Sequence, residues 1–381
     1  MIFFVNPQSY FSLAEYDFNL LKNLNLNKEK VRYFCSINLP DRITFSNEII
    51  VCKIFNYSKA KNSLFKLLSY LYSLFLITLD INKDRPEIIH LQWLKFPPID
   101  YFFLIFCKIF FNVRIVLTAH NFPSKKLHKF FFFFEKKSFL YADKLIVHNH
   151  EAFNKIRNDK KFMSKEIFIQ PHGLFKFDET NEPISEDISE FFKVKRNSLV
   201  MTFIGSGGYF KGLDILIDAW KKINNDKKNI NLVIAGRLNL DKSLIQVLEN
   251  ETTLIIDKEL NDNEVCYLYN MTDIVILPYR EVSQSGVLMA SFGHQKLVIC
   301  SNHREFIDAV SLSNSGWIFD GSIEGLLEVI IRIAKEDNLV PKMRKKYDFE
   351  ILKEKYSWKK AGKVVSNIYK SLKDNEKANQ Y

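Results

Sequence analysis

Glycine and proline are scarce, at 12 and 10 of 381 residues. Counts this low disfavour collagen-like sequence, repeat arrays and loop-rich all-β folds. The five cysteines, Cys35, Cys52, Cys107, Cys266 and Cys300, have no C-x-x-C spacing. That argues against a zinc ribbon or a disulfide framework and fits a reducing cytoplasm. The opening residues MIFFVNPQSY carry no basic region and no small-residue cleavage site, so no signal peptide is expected. The longest uncharged apolar stretch, Leu67 to Leu79, reads as too short to span a bilayer, and Lys108 and Arg114 interrupt the next candidate. No RNP, KH or helix-turn-helix signature is present, so nucleic acid is not the expected partner. No Asp-x-Asp motif follows a strand, so no metal and no cofactor is expected.

What is present is a large apolar content. The hydrophobic fraction of 47% excludes disorder and allows a large core. The length favours two domains. Charge is unevenly placed: residues 1–175 hold 25 basic and 14 acidic residues, against 29 and 30 in the rest. A basic field suits anionic lipid or a phosphorylated substrate. Phenylalanine concentrates in the same half. Lys125, Lys126, Lys129, Lys136 and Lys137 bracket the run Phe130 to Phe134. Lysine around exposed aromatics points to an anionic membrane surface, and so to a cytoplasmic protein held at the inner face of the plasma membrane. The competing reading is that all five phenylalanines are core and the lysines ordinary solvated charge.

Short apolar runs alternate with longer amphipathic ones. The strands Glu87–Leu91, Val113–Thr118, Lys144–His148 and Ile167–Gln170 are separated by helices over Ile99–Phe111, Lys125–Tyr141 and Glu151–Asp159. Continuous apolar strands in βαβ order predict a parallel sheet covered on both faces. Acidic residues and Pro183 mark a linker over 176–197. The alternation then restarts at Ser198 and runs through strands ending near Gly205, Gly236, Ile256, Pro278 and Cys300. The expected organisation is a Rossmann-like domain at 1–175, the linker, a second Rossmann-like domain at 198–356, and a returning helix and tail at 357–381.

Open α/β sheets bind ligands at the carboxyl ends of their strands. After the strand ending at Ile204 comes Gly205-Ser206-Gly207-Gly208-Tyr209-Phe210-Lys211-Gly212 and then a helix. A glycine loop with a lysine at a helix start can hold a diphosphate; the plainer reading is a tight turn. After the strand ending at Leu277, Ser285, Gly286 and Val287 stand where a helix begins, with Arg280 and Glu281 before them. Their N–H groups suit a phosphate, and Glu281 suits sugar hydroxyls. The alternative is an N-cap and a surface ion pair. His148 and His150 form an H-x-H pair without a visible third metal ligand. His172 ends a strand and suits either ligand contact or capping. Trp93 suits stacking on a sugar, or plain burial.

The segments FIGSGGYFKGLDILIDAW, LVIAGR, MTDIVILPYREVSQSGVLMASFGHQKLVI and YSW resemble glycosyltransferase family 4. IIHLQWLKFPP, IVLTAHNFPS, ADKLIVHNHEAF and IFIQPHG resemble the same family's acceptor domain. The resemblance runs from about residue 86 to 362 and implies a GT-B fold: two Rossmann-like domains facing a cleft, with the C-terminal helix crossing back. It implies sugar transfer with retention from a nucleotide diphosphate sugar to a glycan or lipid-linked acceptor, as in surface polysaccharide biosynthesis. Lys211 falls on the diphosphate lysine, Ser285, Gly286 and Val287 on the phosphate- or sugar-binding loop, and His120 near the active-site histidine. Glu281 stands as the first of two glutamates. Trp93, Asn121 and His172 are the acceptor-side candidates. The sequence also departs from the family. The second glutamate falls near Ala290, the usual arginine before the lysine is replaced by Ser206, Gly207 and Gly208, and Asn6-Pro7-Gln8-Ser9-Tyr10 stands where a glycine loop is usual. Arg237 and Arg280 are the substitutes for the arginine, Arg280 first because it shares a loop with Ser285. These departures motivate a competing expectation: a catalytically inactive nucleotide-sugar-binding subunit of a polysaccharide assembly complex.

Overall fold

The structure, a computed structural model, describes every residue except 11, 27–28, 60–61, 121–127, 195–197, 224–229, 283 and 379–381. The chain forms two compact units, Met1–Gly173 with Ser357–Tyr381, and Leu174–Tyr356.

The first unit contains β1 (Ile2–Val5), α1 (Ser12–Lys22), β2 (Val31–Ser36), β3 (Ile49–Phe55), α2 (Ser63–Asp84), β4 (Ile88–Leu91), α3 (Pro97–Phe111), β5 (Arg114–Thr118), α4 (Lys129–Tyr141), β6 (Lys144–Val147), α5 (His150–Arg157) and β7 (Ile167–Ile169). The strands form one parallel sheet in the order β3-β2-β1-β4-β5-β6-β7. Side chains alternate across it. Phe3, Val5, Ile89, Leu91, Ile115 and Leu117 build a core with residues of α2, α3, α4 and α5 on one face. Phe4, Tyr33 and His90 meet one another on the other.

Helix α2 differs from its sequence reading. Asn62 caps it by accepting from the Phe65 N–H, and Arg85, at φ 47°, ends it. The short uncharged stretch is thus only the middle of a 22-residue helix, which by length and composition alone is apolar enough to cross a membrane. One side of α2, with Tyr70, Leu74, Ile77 and Ile81, lies in the core. The Tyr70 hydroxyl donates to buried Asp100 of α3 at 2.6 Å. In α4, Phe130, Phe131 and Phe133 are exposed, and Phe132 and Phe134 are half-buried. The all-core reading of that run is therefore wrong. Lys125 and Lys126 lie outside the described residues.

The second unit contains α6 (Glu186–Val194), β8 (Leu199–Ile204), α7 (Leu213–Lys221), β9 (Ile230–Gly236), α8 (Lys242–Leu248), β10 (Thr253–Asp257), α9 (Asp262–Met271), β11 (Ile274–Leu277), α10 (Gly286–Gly293), β12 (Leu297–Ser301), α11 (Arg304–Ser313), β13 (Gly316–Phe319), α12 (Ile323–Lys335), α13 (Leu339–Lys346) and α14 (Phe349–Lys355). Its parallel sheet has the order β10-β9-β8-β11-β12-β13. The stretch read as a linker is part of this unit. Ser185 donates to Glu264 at 2.7 Å, and Asn261 and Asn263 donate to the carbonyls of Pro183 and Glu182. Asn261 and Glu264 also form the capping box of α9.

The last helix, α15 (Trp358–Ala378), belongs to the first unit, as its expected return requires. Tyr369 reaches His90, and Trp358 packs on Tyr16 and His172. Buried Gly362 faces the end of α1 so closely that a Cβ would stand 2.1 Å from the Asn23 carbonyl oxygen. Gly362→Val is expected to destabilise the first unit by about 1–3 kcal/mol through this overlap. Thermal unfolding of the variant beside wild type checks it, and an unchanged midpoint would mean that α15 is not held this closely.

Candidate active site

Each sheet has one point where the chain reverses its direction of growth: between β8 and β11 in the second unit, and between β1 and β4 in the first. Such points open a crevice at the carboxyl ends of the strands. The candidate residues collect there.

In the second unit the loop after β8 folds tightly. The Gly205 and Gly207 N–H groups donate to the carbonyls of Ala235 and Arg237 at 2.9 and 3.0 Å. Gly212, at φ 64°, starts α7, and a Cβ there would meet the Pro278 carbonyl oxygen at 1.8 Å. Glycine alone lets this turn approach the end of β11. Tyr209 to Lys211 form one helical turn, and the Lys211 ammonium lies 3.9 Å from the ring centroid of buried Tyr279. Ser285 is buried and caps α10, accepting from the Leu288 N–H. Its hydroxyl is 3.5 Å from the Tyr279 hydroxyl. Tyr279 thus links the lysine to the α10 N-terminus, whose first N–H groups, from Gly286 and Val287, belong to the turn that lacks intrahelical acceptors. Lysine and helix end form a cationic, donor-rich corner suited to a diphosphate.

The two substitute arginines differ. Arg280 donates to Asp214 Oδ1 at 2.6 Å and to the Tyr209 carbonyl at 3.0 Å, and lies 4.2 Å from the Tyr209 ring centroid. It is therefore at the corner, but held by a carboxylate. The bond to Arg280 keeps Asp214 below the usual carboxylate range and raises the guanidinium in turn. Arg237 pairs with Glu259 at the end of β9. Glu281 is exposed beside Arg280, and Gly208 begins the Tyr209 turn.

In the first unit a chain of imidazoles follows the strand ends. His120 Nδ1 is 3.0 Å from His148 Nε2, and His148 Nδ1 is 3.1 Å from the Gln170 carbonyl oxygen. The terminal amide of Gln92 lies 3.0 Å from both His120 Nε2 and His90 Nε2. His90 Nδ1 is 2.6 Å from the Tyr369 hydroxyl. A carbonyl only accepts, so neutral His148 carries its proton on Nδ1. Its Nε2 then accepts from the His120 Nδ1–H, and His120 Nε2 is left as an acceptor. With Gln92 Oε1 toward His120, two acceptors would face each other; with the amide turned by half a rotation its NH2 meets His120 and its oxygen meets His90. Trp93 stacks on His120 at 4.7 Å between centroids, with planes 3° apart. One face of its indole is therefore covered.

Sequence reading did not find Gln92, Gln170, Tyr16, Tyr209, Asp214 or Tyr279 as parts of these sites. Tyr16 sits among His120, His148, His172 and Trp358, and donates to Gln170 at 2.6 Å. Only the positions of Gln92 directly after β4 and Gln170 directly after β7 carried a signal. His172 is buried, with Nδ1 2.7 Å from the Gly173 carbonyl oxygen. His148 is buried and His150 exposed, so the H-x-H pair is split between the cluster and the surface. Asn121 lies outside the described residues.

Residues 185–348 match the family of glycosyl transferases group 1. The match covers most of the second unit, including the Lys211 loop and α10. Among curated proteins none matches the chain. Several solved structures do. A sucrose-phosphate synthase from Thermosynechococcus elongatus has a TM-score of 0.75 at 14% identity, covering 98% of this chain and 99% of its own. Anabaena HepE in complex with UDP-glucose has a TM-score of 0.70 at 14% identity, with 97% and 99% covered. WaaG, a glycosyltransferase involved in lipopolysaccharide biosynthesis, has a TM-score of 0.67 at 13% identity, also with 97% and 99% covered. The fold is thus of the GT-B kind, with two Rossmann-like domains.

The imidazole cluster predicts a pH dependence. Burial pulls His90, His148 and His172 down to about 3, 4 and 3. The unfolded chain protonates them below about 6.5, so their contribution is whole above that pH and is lost as pH falls toward 4. Asp17 and Asp100, raised to about 7 by burial, work in the opposite sense. Burial also holds His120 well below its ordinary value and His294 at about 4. Five histidines outweigh two carboxyls, so stability is expected to fall by at least about 1 kcal/mol per pH unit between about 6.5 and 4.5. Urea unfolding at three pH values measures this; a midpoint that rises on acidification would contradict it.

Proposed function

We propose that the chain is a retaining glycosyltransferase that moves a sugar from a nucleotide diphosphate donor to a glycan or lipid-linked acceptor in surface polysaccharide biosynthesis. The observation that carries this reading is the cationic corner of Lys211 and the α10 N-terminus, inside the segment that matches the glycosyl transferases group 1 family. The donor binds the second unit and the acceptor the first. As the glycosidic bond breaks, negative charge grows on the leaving diphosphate. Lys211 and the N–H groups of Gly286 and Val287 stabilise that charge without a metal. Ser285 and Tyr279 fix the corner, and Gly205, Gly207 and Gly208 let the backbone approach. Arg280 braces the loop through Asp214, while Arg237 lies further from Lys211 in role. Glu281 receives hydroxyls of the donor. His120, held neutral with its Nδ1–H on His148, exchanges the Gln92 amide at Nε2 for a hydroxyl of the transferred sugar; Trp93 and His172 shape the acceptor side. The complex of HepE with UDP-glucose and the involvement of WaaG in lipopolysaccharide biosynthesis support the donor class and the pathway. The basic first unit supports a cytoplasmic enzyme at the inner membrane face.

One observation favours the second reading, a nucleotide-sugar-binding subunit without activity. Both candidates for the second cation are already paired with carboxylates, Arg280 with Asp214 and Arg237 with Glu259. Binding and turnover separate the two.

Uridine diphosphate sugars are expected to raise the melting temperature and to be turned over, with the product anomer matching the donor by NMR. Lys211→Ala is expected to leave the fold intact and to lower kcat/KM about a hundredfold or more. Normal turnover in that variant would remove Lys211 from the mechanism. Activity is expected to survive EDTA; loss with EDTA and recovery with magnesium would contradict a metal-free transfer. Donor binding without any turnover would favour the inactive subunit.

A further inference from the structure

Fourteen of the twenty-one exposed large apolar side chains among the described residues lie on three consecutive helices, α2, α3 and α4. These helices cover the same face of the first sheet, since their inner residues share one core cluster. They are also neighbours: Tyr70 of α2 bonds Asp100 of α3, and Phe102 of α3 is 5.8 Å from Phe134 of α4. Their outer sides therefore form one surface.

The outer stripe of α2 is Leu64, Leu68, Leu71, Phe75 and Leu79, spaced by three or four residues, and Phe75 is 56% exposed. Phe102, Phe106 and Ile109 continue the surface on α3, and Phe130 and Phe133 on α4. A helix that is apolar all round belongs in a protein core or in lipid. In α2 the sheet accounts for one side only. At about 1.5 Å per residue the helix is about 33 Å long. An exposed apolar surface of that extent marks a docking site.

Charge selects the occupant. The three helices contain four carboxylates, and each is engaged or hidden. Asp80 and Asp84 pair with Arg32 at 2.8 and 2.6 Å, and Asp100 and Glu135 are buried. Lys66, Lys83, Lys129 and Lys137 are exposed on the same helices. With α15 and the tail, which add six lysines and two acidic residues, the first unit carries an excess of +15. A second copy would bring the same positive charge against itself. An anionic bilayer receives the apolar side chains below its headgroups and the ammonium groups among them.

We infer that α2, α3 and α4 form an in-plane docking face for anionic lipid, with α2 as its main inserting element. This deepens the membrane association proposed above by moving its centre from the Lys125–Lys137 segment to α2. It does not depend on the transfer chemistry. Spanning is excluded by the inner side of α2: crossing the bilayer would strip Tyr70, Leu74, Ile77 and Ile81 from the core and part Tyr70 from Asp100.

Vesicle flotation tests the inference, without donor or acceptor present, so its failure leaves the transfer reading standing. The probes are phosphatidylcholine vesicles with and without 30% phosphatidylglycerol, the full chain, and circular dichroism to verify folding. Binding is expected only to the anionic vesicles. Leu68→Ser with Leu71→Ser and Phe75→Ser is expected to weaken it at least tenfold, and Phe75→Glu alone severalfold. Lys129→Gln with Lys137→Gln is expected to weaken it severalfold and flatten its salt dependence. Val247→Ser, an exposed change in the second unit, serves as the control and is expected to have no effect. Unchanged binding in the folded α2 variants, or none by wild type, would overturn the inference. So would resistance to alkaline carbonate extraction, which would indicate spanning, or a solution dimer dissolved by the α2 changes, which would make a second copy the occupant.

Discussion

A wholly parallel sheet must be covered on both faces, and most features of this protein follow from that requirement. Each crossover except β2–β3, which has no helix, places a helix over the sheet, and all return the chain to the edge from which the strands start. Every strand therefore ends on one side, and the loops that carry chemistry collect there. In the first unit α2 to α5 cover one face. The other face, with Phe4, Tyr33 and His90, is closed by α1 and by α15, which arrives after the whole second unit.

The two units use opposite electrostatics at their strand ends. The second presents full charges at an accessible corner, where Lys211 rests on an aromatic ring and Arg280 on a carboxylate. The first buries polar groups in a neutral chain from Tyr369 to the Gln170 carbonyl. Each member of that chain has a partner, and a buried polar network is tolerated only on that condition. A charged site suits a ligand that brings compensating charge. A neutral one keeps the tautomer of a single imidazole fixed.

From residue 86 onward most of the architecture was legible. Strands such as Ile274–Leu277 are short, apolar and bounded by turn residues, and a parallel sheet hides both their faces. The donor corner was legible because its parts are local: a glycine loop, a lysine, and a serine at a helix start. The imidazole chain was not, because it joins residues 90, 92, 120, 148 and 170, whose only common property is a place at or just past the end of a strand. The linker reading failed because acidic, proline-containing sequence also makes good caps and helix starts, and here Glu182 and Ser185 bind α9. For α2, lysines and aspartates at its ends hid its length, and no period separated its inner from its outer side.

The return of α15 gives the chain an unusual order of completion. Synthesis runs from the amino terminus, and domains generally fold as they emerge. Here the first unit cannot close when its own strands are made. Tyr16, His90 and the face around them wait for Trp358 and Tyr369. The second unit, continuous from Leu174 to Tyr356, has all of its residues earlier than the first has its last helix. The first unit therefore keeps one flank of its sheet open while the whole second unit is made, and a helix synthesised after that unit finishes it.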